Sequence, residues 1–340
     1  MLMAERLYWL TPKAGNIARL SLHRDNAGPL PADKVRITVR AIGLNFADIF
    51  ALTGLYSATP QGAFTPGLEF SGVVLECGSK CSQWRPGDRV MGVTRFGGYS
   101  TLIDSDPAYL WPLPEDWDFA AGAAYPVQTL TAWYALKSLG NLQPNQRVLI
   151  HSAAGGVGLQ AMQLTRALGG MPVGTVGSAD KVALLHSMGF DEVLVREKDF
   201  AQQLKREHQQ FDLVLDGIGG AVQRASFDAL NPMGRLVVFG AAEFTPNGQR
   251  PDYLRALLRY LRRPRYDVMD MISANKSVMA FNLIWLWEQA NRMRSLMDEL
   301  DGLGLPAPHV GQQHSFSEAH QALAHLQSGS TTGKVVLRCS

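Results

Sequence analysis

One stretch, from Arg147 to Gly169, changes its hydrophobic pattern twice. Arg147–His151 is short and mostly apolar, which is typical of a strand buried in a parallel sheet. A turn of small residues, 153–158, follows, and from Val157 the apolar positions recur at helical spacing up to Gly169. A strand, a glycine turn and a helix predict a dinucleotide-binding unit, whose backbone N–H groups reach a pyrophosphate.

The glycine pattern of this unit is imperfect. Ala153, Gly155 and Gly158 occupy the three fingerprint positions, so the first glycine is replaced by alanine. The prediction therefore depends on the flanking strand and helix, and on the strands that follow.

Strands and helices continue to alternate after this unit, which predicts a parallel, doubly wound sheet. The predicted strands are 171–176, 192–195, 211–216, 235–240 and 277–281, and the predicted helices are 180–188 and 200–208. Turn residues 231–234 are expected to introduce the fifth strand of the sheet.

The first part of the chain has a different pattern. Residues 35–42 alternate apolar and polar positions, as a half-buried strand does, and later strand-like runs are separated by Gly and Pro. We therefore predict an α/β protein with a β-rich, barrel-like domain at 1–124, a nucleotide-binding domain at 125–266, and a return to the first domain at 267–340.

Composition narrows the function only a little. Of 340 residues, 46% are hydrophobic and 18% charged, and the net charge of +2 gives no reason to expect nucleic acid as a partner. The three cysteines cannot build a disulfide framework. Residues 1–10 lack a signal-peptide core, and the apolar segment 278–287 is too short to span a bilayer. We expect a cytoplasmic protein.

Motifs spread over most of the chain resemble those of the medium-chain dehydrogenase/reductase superfamily, in its zinc-free quinone oxidoreductase branch. They are Gly43-Leu-Asn-Phe-Ala-Asp, Gly54-Leu-Tyr, Pro66-Gly-Leu-Glu-Phe-Ser-Gly, Pro86-Gly-Asp-Arg-Val, Ala153-Ala-Gly-Gly-Val-Gly and Thr332-Gly-Lys-Val-Val-Leu. Segments 231–237 and 275–283 are also similar to the vesicle amine transport protein subgroup. The resemblance implies a GroES-like catalytic domain, a Rossmann domain and a homodimer joined through edge strands of the nucleotide sheets.

The residues that bind zinc in related alcohol dehydrogenases are missing. Asn45 stands where those enzymes have a Cys, and Leu68 where they have a His. No cluster of four cysteines follows residue 90, and Cys77 and Cys81 have no second pair nearby. An alcohol would lack the Lewis acid that stabilises its alkoxide. A quinone or activated enone delocalises the incoming charge itself, so the sequence favours reduction of such a small hydrophobic acceptor.

The end of the second nucleotide-domain strand indicates the cofactor. No acidic residue ends the strand to hold a ribose; Gly177 and Ser178 leave room for a 2′-phosphate, and Lys181 supplies charge. We expect Asp180 to cap the next helix and point away. Arg196, where related reductases often have Tyr, could bind the phosphate through two N–H groups. These residues predict NADPH rather than NADH, unless both cations are ordinary surface charges.

The resemblance implies further site residues. Asn45 would offer its amide to the cofactor or to a substrate oxygen, and Thr131 would contact the cofactor near the nicotinamide. The other implied cofactor contacts are Gly155, Gly156 and Val157 at the pyrophosphate, Phe239, Gly240, Phe281 and Asn282 at the nicotinamide, and Lys334. The alternatives are that Asn45 forms a turn, that Thr131 is a packed hydroxyl and that Phe281 belongs to the core.

Tyr56 is the candidate proton donor. It follows Gly54-Leu, as a substrate-side Tyr does in the family, and a phenol can protonate an enolate. Packing against the substrate, with solvent as the donor, is the alternative.

Residues 250–265 suggest a function of another kind. Leu254, Leu257, Leu258 and Leu261 share one helical face, and arginines surround it. Such a helix can bind an anionic membrane. We expect instead that its leucines pack on their own domain. The alternative is a nucleotide-binding, lipid-associated protein with little turnover.

Overall fold

The computed structural model describes residues 4–339, so residues 1–3 of the amino-terminal segment and Ser340 lie outside the described part. The strands are β1 (Glu5–Leu10), β2 (Ser21–Asn26), β3 (Val35–Gly43), β4 (Glu69–Cys77), β5 (Arg89–Val93), β6 (Leu102–Ser105), β7 (Leu110–Pro112), β8 (Arg147–Ile150), β9 (Met171–Val176), β10 (Val193–Val195), β11 (Phe211–Asp216), β12 (Leu230–Val238), β13 (Ser277–Ala280), β14 (Val310–Ser315) and β15 (Lys334–Arg338). The α-helices are α1 (Phe46–Thr53), α2 (Phe119–Ala123), α3 (Pro126–Trp133), α4 (Gly156–Ala167), α5 (Val182–Ser187), α6 (Phe200–Arg206), α7 (Gly220–Asp228), α8 (Tyr253–Arg262), α9 (Val268–Ala274), α10 (Ala290–Asp301) and α11 (Ala319–Gln327).

The amino-terminal part forms a seven-stranded sheet in the order β14-β15-β3-β4-β5-β7, with β6 paired to β3. The predicted strand at 35–42 is β3, which pairs antiparallel with β4 over most of its length. Its apolar side chains are buried around Phe70, so the alternating pattern marks the inner side of the sheet. The prediction of a β-rich, GroES-like domain is confirmed.

The nucleotide sheet has six parallel strands in the order β10-β9-β8-β11-β12-β13. In chain order this is third, second, first, fourth, fifth, sixth, the arrangement of a dinucleotide-binding sheet. The Rossmann prediction is confirmed. β12 begins at Leu230, earlier than predicted, and residues 231–234 form an irregularity before Arg235, where Met233 has a positive φ of 67°.

The nucleotide sheet includes a strand that lies beyond residue 266. β13, at 277–280, is the edge strand of the nucleotide sheet, and the chain rejoins the seven-stranded sheet at β14. The division of the chain at residues 124 and 266 stays a prediction, and on strand pairing we propose that the second boundary falls between α10 and β14.

Two helices between β12 and β13 leave apolar side chains in solvent. No residue of α8 is buried, and Leu254, Leu257, Leu258 and Leu261 are 69%, 53%, 45% and 57% exposed. Val268, Met269 and Ile272 of α9 are exposed as well. The expectation that the leucines pack on their own domain is therefore wrong for this chain by itself.

Candidate active site between the two sheets

A cavity of about 960 Å³ lies between the two sheets. Its wall takes Asn45 and Tyr56 from the first domain, the glycine turn from the second, and Lys334 from β15. Thr131, Phe239, Gly240, Phe281 and Asn282 also line it. Residues far apart in sequence thus meet in one place, as a binding cleft at a domain boundary requires.

The glycine turn opens this cavity towards the N-terminus of α4. Gly155 caps the helix, and Gly156 is its first residue. A Cβ on Gly156 would lie 2.7 Å from Gln128 Oε1, and one on Gly158 would lie 2.2 Å from the Ser152 carbonyl oxygen. Glycine is thus required at 158, where the neighbour is backbone, whereas at 156 the neighbour is the end of a side chain. Gly155, Gly156 and Val157 line the cavity at the helix N-terminus, where a pyrophosphate would meet backbone N–H groups.

The residues predicted for a 2′-phosphate come together only in part. Gly177 follows β9, and a Cβ there would lie 3.3 Å from Arg196 Nη2. Lys181 instead donates to the carbonyl oxygens of Gly329 and Thr331, so its ammonium is partly engaged. Burial, the largest effect, lowers the pKa values of both Lys181 and Arg196.

The expectation that Asp180 caps the following helix is wrong. Asp180 lies inside the short 3-10 turn Ala179–Lys181, and the residue that precedes α5 is Lys181. A hydrogen bond from the Ser178 hydroxyl is the main cause that lowers the pKa of the Asp180 carboxyl. Ser178 therefore has an acceptor already, and among the predicted residues Arg196 is the one whose guanidinium lies beside Gly177.

Arg196 is held by a chain of hydrogen bonds that the sequence did not reveal. Its Nη1 donates to Thr175 Oγ1 (3.0 Å), which pairs with His151 Nδ1 (2.9 Å). His151 Nε2 pairs with Ser226 Oγ (2.7 Å), and that hydroxyl donates to the Val222 carbonyl. Arginine only donates and a carbonyl only accepts, so Thr175 donates to Nδ1 and His151 carries its proton on Nε2. Burial lowers the pKa of His151 to about 3, which keeps the imidazole neutral.

A second buried polar cluster surrounds Asn45. Asn45 Nδ2 donates to Glu69 Oε1 (2.9 Å) and to the Gly43 carbonyl, while Oδ1 accepts from Gln128 Nε2 (2.6 Å) and Lys334 Nζ (2.9 Å). The amide is fully occupied, so in this geometry it is not free for a substrate oxygen. Asn45 instead links Glu69 to Lys334.

Glu69 and Lys334 form an ion pair that is closed off from solvent. Lys334 Nζ lies 2.5 Å from Glu69 Oε1, and their side chains are 4% and 0% exposed. Burial is the main cause that lowers the pKa of Lys334, and Glu69 opposes it. Two protons of the ammonium are donated to Glu69 and Asn45, and Lys334 is also one of the residues that line the cavity. Sequence reasoning found Lys334 and missed its partner, although a Glu within an apolar strand is a signal of such a pair.

The substrate side of the cavity brings Tyr56 and Asn282 together. The Tyr56 hydroxyl donates to Asn282 Oδ1 at 2.8 Å. Burial raises the pKa of Tyr56 to about 12, so the phenol remains protonated. Phe281 packs edge-on against Tyr134, and the Thr131 hydroxyl donates to the Val127 carbonyl (2.7 Å) one helical turn earlier. The Thr131 hydroxyl proton is therefore already engaged.

Within 4–339, no three His, Cys, Asp or Glu side chains are grouped as a metal site would require. No helix in the same range has the length and apolar character that crossing a bilayer demands.

Comparison with known proteins agrees with this fold and cavity. Residues 31–115 match the family described as alcohol dehydrogenase GroES-like domain, and residues 156–286 match zinc-binding dehydrogenase. The chain belongs to the medium-chain dehydrogenase/reductase superfamily.

Within this superfamily, the chain is similar to the VAT-1 homologs of vertebrates. The human synaptic vesicle membrane protein VAT-1 homolog is 32% identical over 92% of this chain and 81% of its own length. The zebrafish (Danio rerio) protein of that name is 30% identical over 91% of this chain, which spans 64% of that relative's length.

Solved structures of reductases share the whole fold. A Pseudomonas syringae quinone oxidoreductase superposes with a TM-score of 0.82 at 27% identity, over 98% of this chain and 100% of the other. The Escherichia coli quinone oxidoreductase complexed with NADPH gives 0.82 at 25% identity, with the same coverage. The CurK enoyl reductase gives 0.81 at 28% identity, over 98% and 99% of the two chains.

Proposed function

We propose that this protein is a zinc-independent reductase that uses NADPH to reduce a quinone or an activated enone. The observation that carries the proposal is the shared cavity, whose wall combines a helix N-terminus, a protonated Tyr56 and the buried Lys334. The NADPH in the E. coli relative and the quinone and enoyl reductase names of the neighbours support the same reaction class.

The residues around the glycine turn fit this cofactor. The N–H groups at 155–157 would hold the pyrophosphate, because these residues line the cavity at the N-terminus of α4. Arg196, held beside Gly177, would bind the 2′-phosphate, and Phe239, Gly240 and Thr131 would border the nicotinamide. NADPH, when bound, supplies the hydride.

We propose that Tyr56 donates the proton that completes the reduction. Its hydroxyl borders the cavity and holds its proton against Asn282 Oδ1 until an acceptor oxygen or carbanion competes for it. Asn282 would position the phenol, and Lys334 would direct its third proton into the cavity towards developing negative charge.

The activity test follows NADPH absorbance with 9,10-phenanthrenequinone, 1,4-benzoquinone and a simple enone, with and without a chelator. Oxidation that resists the chelator is expected. Absence of turnover with all three acceptors, despite tight NADPH binding, would refute the reductase proposal.

The cofactor test compares two variants. We expect Arg196→Ala to raise the KM for NADPH about tenfold or more and to leave the KM for NADH nearly unchanged, because a charged hydrogen bond is worth about 1.5–3 kcal/mol. Lys181→Ala should have a smaller effect, because Lys181 already donates to two carbonyls. Equal losses for both nucleotides would contradict the preference for NADPH.

The exposed leucines of α8 favour a second candidate, a lipid-associated protein. Their apolar face is open, and arginines surround it, as on helices that lie in a membrane interface. Co-sedimentation with anionic liposomes at low and high salt tests this candidate. Binding that does not depend on lipid charge would contradict it. A cytoplasmic location stays a prediction, which cell fractionation would check.

We also propose a homodimer joined through β13. This strand is the edge of the nucleotide sheet. Helix α9, which directly precedes β13 in sequence, exposes Val268, Met269 and Ile272. If light scattering at micromolar concentration gave the molar mass of a single chain, the homodimer would be contradicted.

A further inference from the structure

Helix α8 forms part of the cavity wall as well as part of the surface. Tyr253, Ala256, Leu257 and Tyr260 line the cavity that holds Tyr56 and Asn282. Phe46, Phe50 and Leu55 line it from the first domain. An apolar acceptor that reaches Tyr56 would therefore also contact this helix.

A smaller cavity of about 150 Å³ adjoins the first one. Leu55, Phe244 and Ala256 line both cavities, and Leu55 directly precedes Tyr56. The two cavities thus share part of their walls, at the position next to Tyr56.

The small cavity is positively charged. Arg250, Arg255 and Arg259 line it together with a single acid, Asp252, whose Oδ1 accepts the backbone N–H of Arg255 as a helix cap. Glu243 lies close enough for Arg259 to lower its pKa, although burial raises that pKa more. Three guanidinium groups against these two acids favour an anion.

Arg255 and Arg259 are unpaired in the part of the chain that the structure describes. They are four residues apart and so share one side of α8, and both are half-buried. Within residues 4–339 neither guanidinium makes a hydrogen bond or an ion pair. Two half-buried guanidiniums without an acceptor match the planar, paired oxygens of a carboxylate.

Building on the proposed reductase function, we propose that the physiological acceptor is an acidic amphiphile. Its enone or quinone would lie at Tyr56 in the large cavity, and its carboxylate would bind Arg255 and Arg259 in the small one. The arginine pair then determines substrate specificity and takes no part in the reaction itself.

The test compares 10-oxo-8-decenoic acid, an enal with a distal carboxylate, with its methyl ester. Arg255→Gln/Arg259→Gln is expected to raise the KM for the acid about tenfold or more, because charged hydrogen bonds are worth about 1.5–3 kcal/mol, and to leave the ester unchanged. Arg262→Gln, on the exposed side of the same helix and outside the small cavity, is the matched control and should change neither.

Calorimetric titration with decanoate and with 1-decanol separates this proposal from the reductase proposal. Decanoate should bind the native protein, and the double variant should lose that binding while 1-decanol is unaffected. If decanoate binds in this way but no acceptor is reduced, the anion site stands and the reductase function fails. The anion site would be overturned if the double variant changed the KM values for acid and ester equally, or if it raised the KM for NADPH. Arginine-dependent binding to anionic vesicles without binding of decanoate would also overturn it.

Discussion

Replacing Glu69 with Gln should destabilise the protein strongly. Its Oε1 accepts from Asn45 Nδ2 (2.9 Å), Gln128 Nε2 (3.3 Å) and Lys334 Nζ, and Oε2 accepts from the Val127 N–H (2.9 Å). A glutamine has the same shape, but its NH₂ must face one of these donors. Lys334, buried in the fold, also loses its counter-ion. Removing one partner of a buried pair costs about 3–5 kcal/mol.

The cost of Glu69→Gln should depend on pH. Burial already lowers the pKa of Lys334, and Glu69 is the main group that raises it again. Without Glu69 the folded pKa lies further below its unfolded value. A lysine whose folded pKa lies below its unfolded pKa adds to the free energy of unfolding above the unfolded pKa, and this contribution is lost as pH falls through the folded pKa. The variant should therefore regain stability at alkaline pH.

Urea unfolding at neutral and alkaline pH would measure this loss. Lys334→Met and the double variant complete the cycle, and the double variant should cost less than the sum of the single ones, because no charge is left alone. Glu76→Gln, at an exposed position of the same strand, is the matched control and should cost under about 1 kcal/mol. A loss for Glu69→Gln as small as for Glu76→Gln would refute the reasoning.

Three further predictions follow from other parts of the site. Tyr56→Phe should lower turnover of an enone about 10²-fold or more without changing NADPH affinity, measured by fluorescence; full turnover would assign the proton to solvent. Thr175→Val should weaken binding of 2′,5′-ADP about five- to tenfold relative to 5′-AMP, because Arg196 loses its support, and Thr175→Ser should restore it; equal weakening of both nucleotides in calorimetry would indicate a merely structural role. Burial raises the pKa of Asp48 from 3.8 to about 6, so its contribution to stability is present below the unfolded pKa and is lost as pH rises through the folded one. The stability difference between native protein and Asp48→Asn should therefore shrink by about 2 kcal/mol from pH ~4 to pH ~7, and a difference that is constant over this range would contradict it.

The sequence predicted those features that depend on neighbours along the chain. The glycine turn and the parallel strands follow from local pattern and turn chemistry, which act over a few residues. The β-rich domain was predictable for the same reason, whereas Tyr56 was named through the family resemblance.

Features that depend on distant partners were not predictable. Asn45 is occupied because Glu69, Gln128 and Lys334 converge on it from three elements. Lys181 is engaged by carbonyls about 150 residues away. The leucines of α8 have a helical period, but the period does not say whether another element covers them.

The glycine turn is also joined to the residue that precedes β15. Gly155 pairs with Gly333 in a single parallel bridge, and the Gly333 N–H donates to the Ala154 carbonyl at 2.7 Å. Gly333 has a positive φ, and a Cβ there would lie 2.3 Å from the His309 carbonyl oxygen, so glycine is required. During synthesis the six-stranded sheet emerges from the ribosome before this contact exists. The nucleotide pocket is therefore completed by residues made after its own sheet, and a chain cut short before Gly333 would retain its Rossmann sheet with an incomplete pocket.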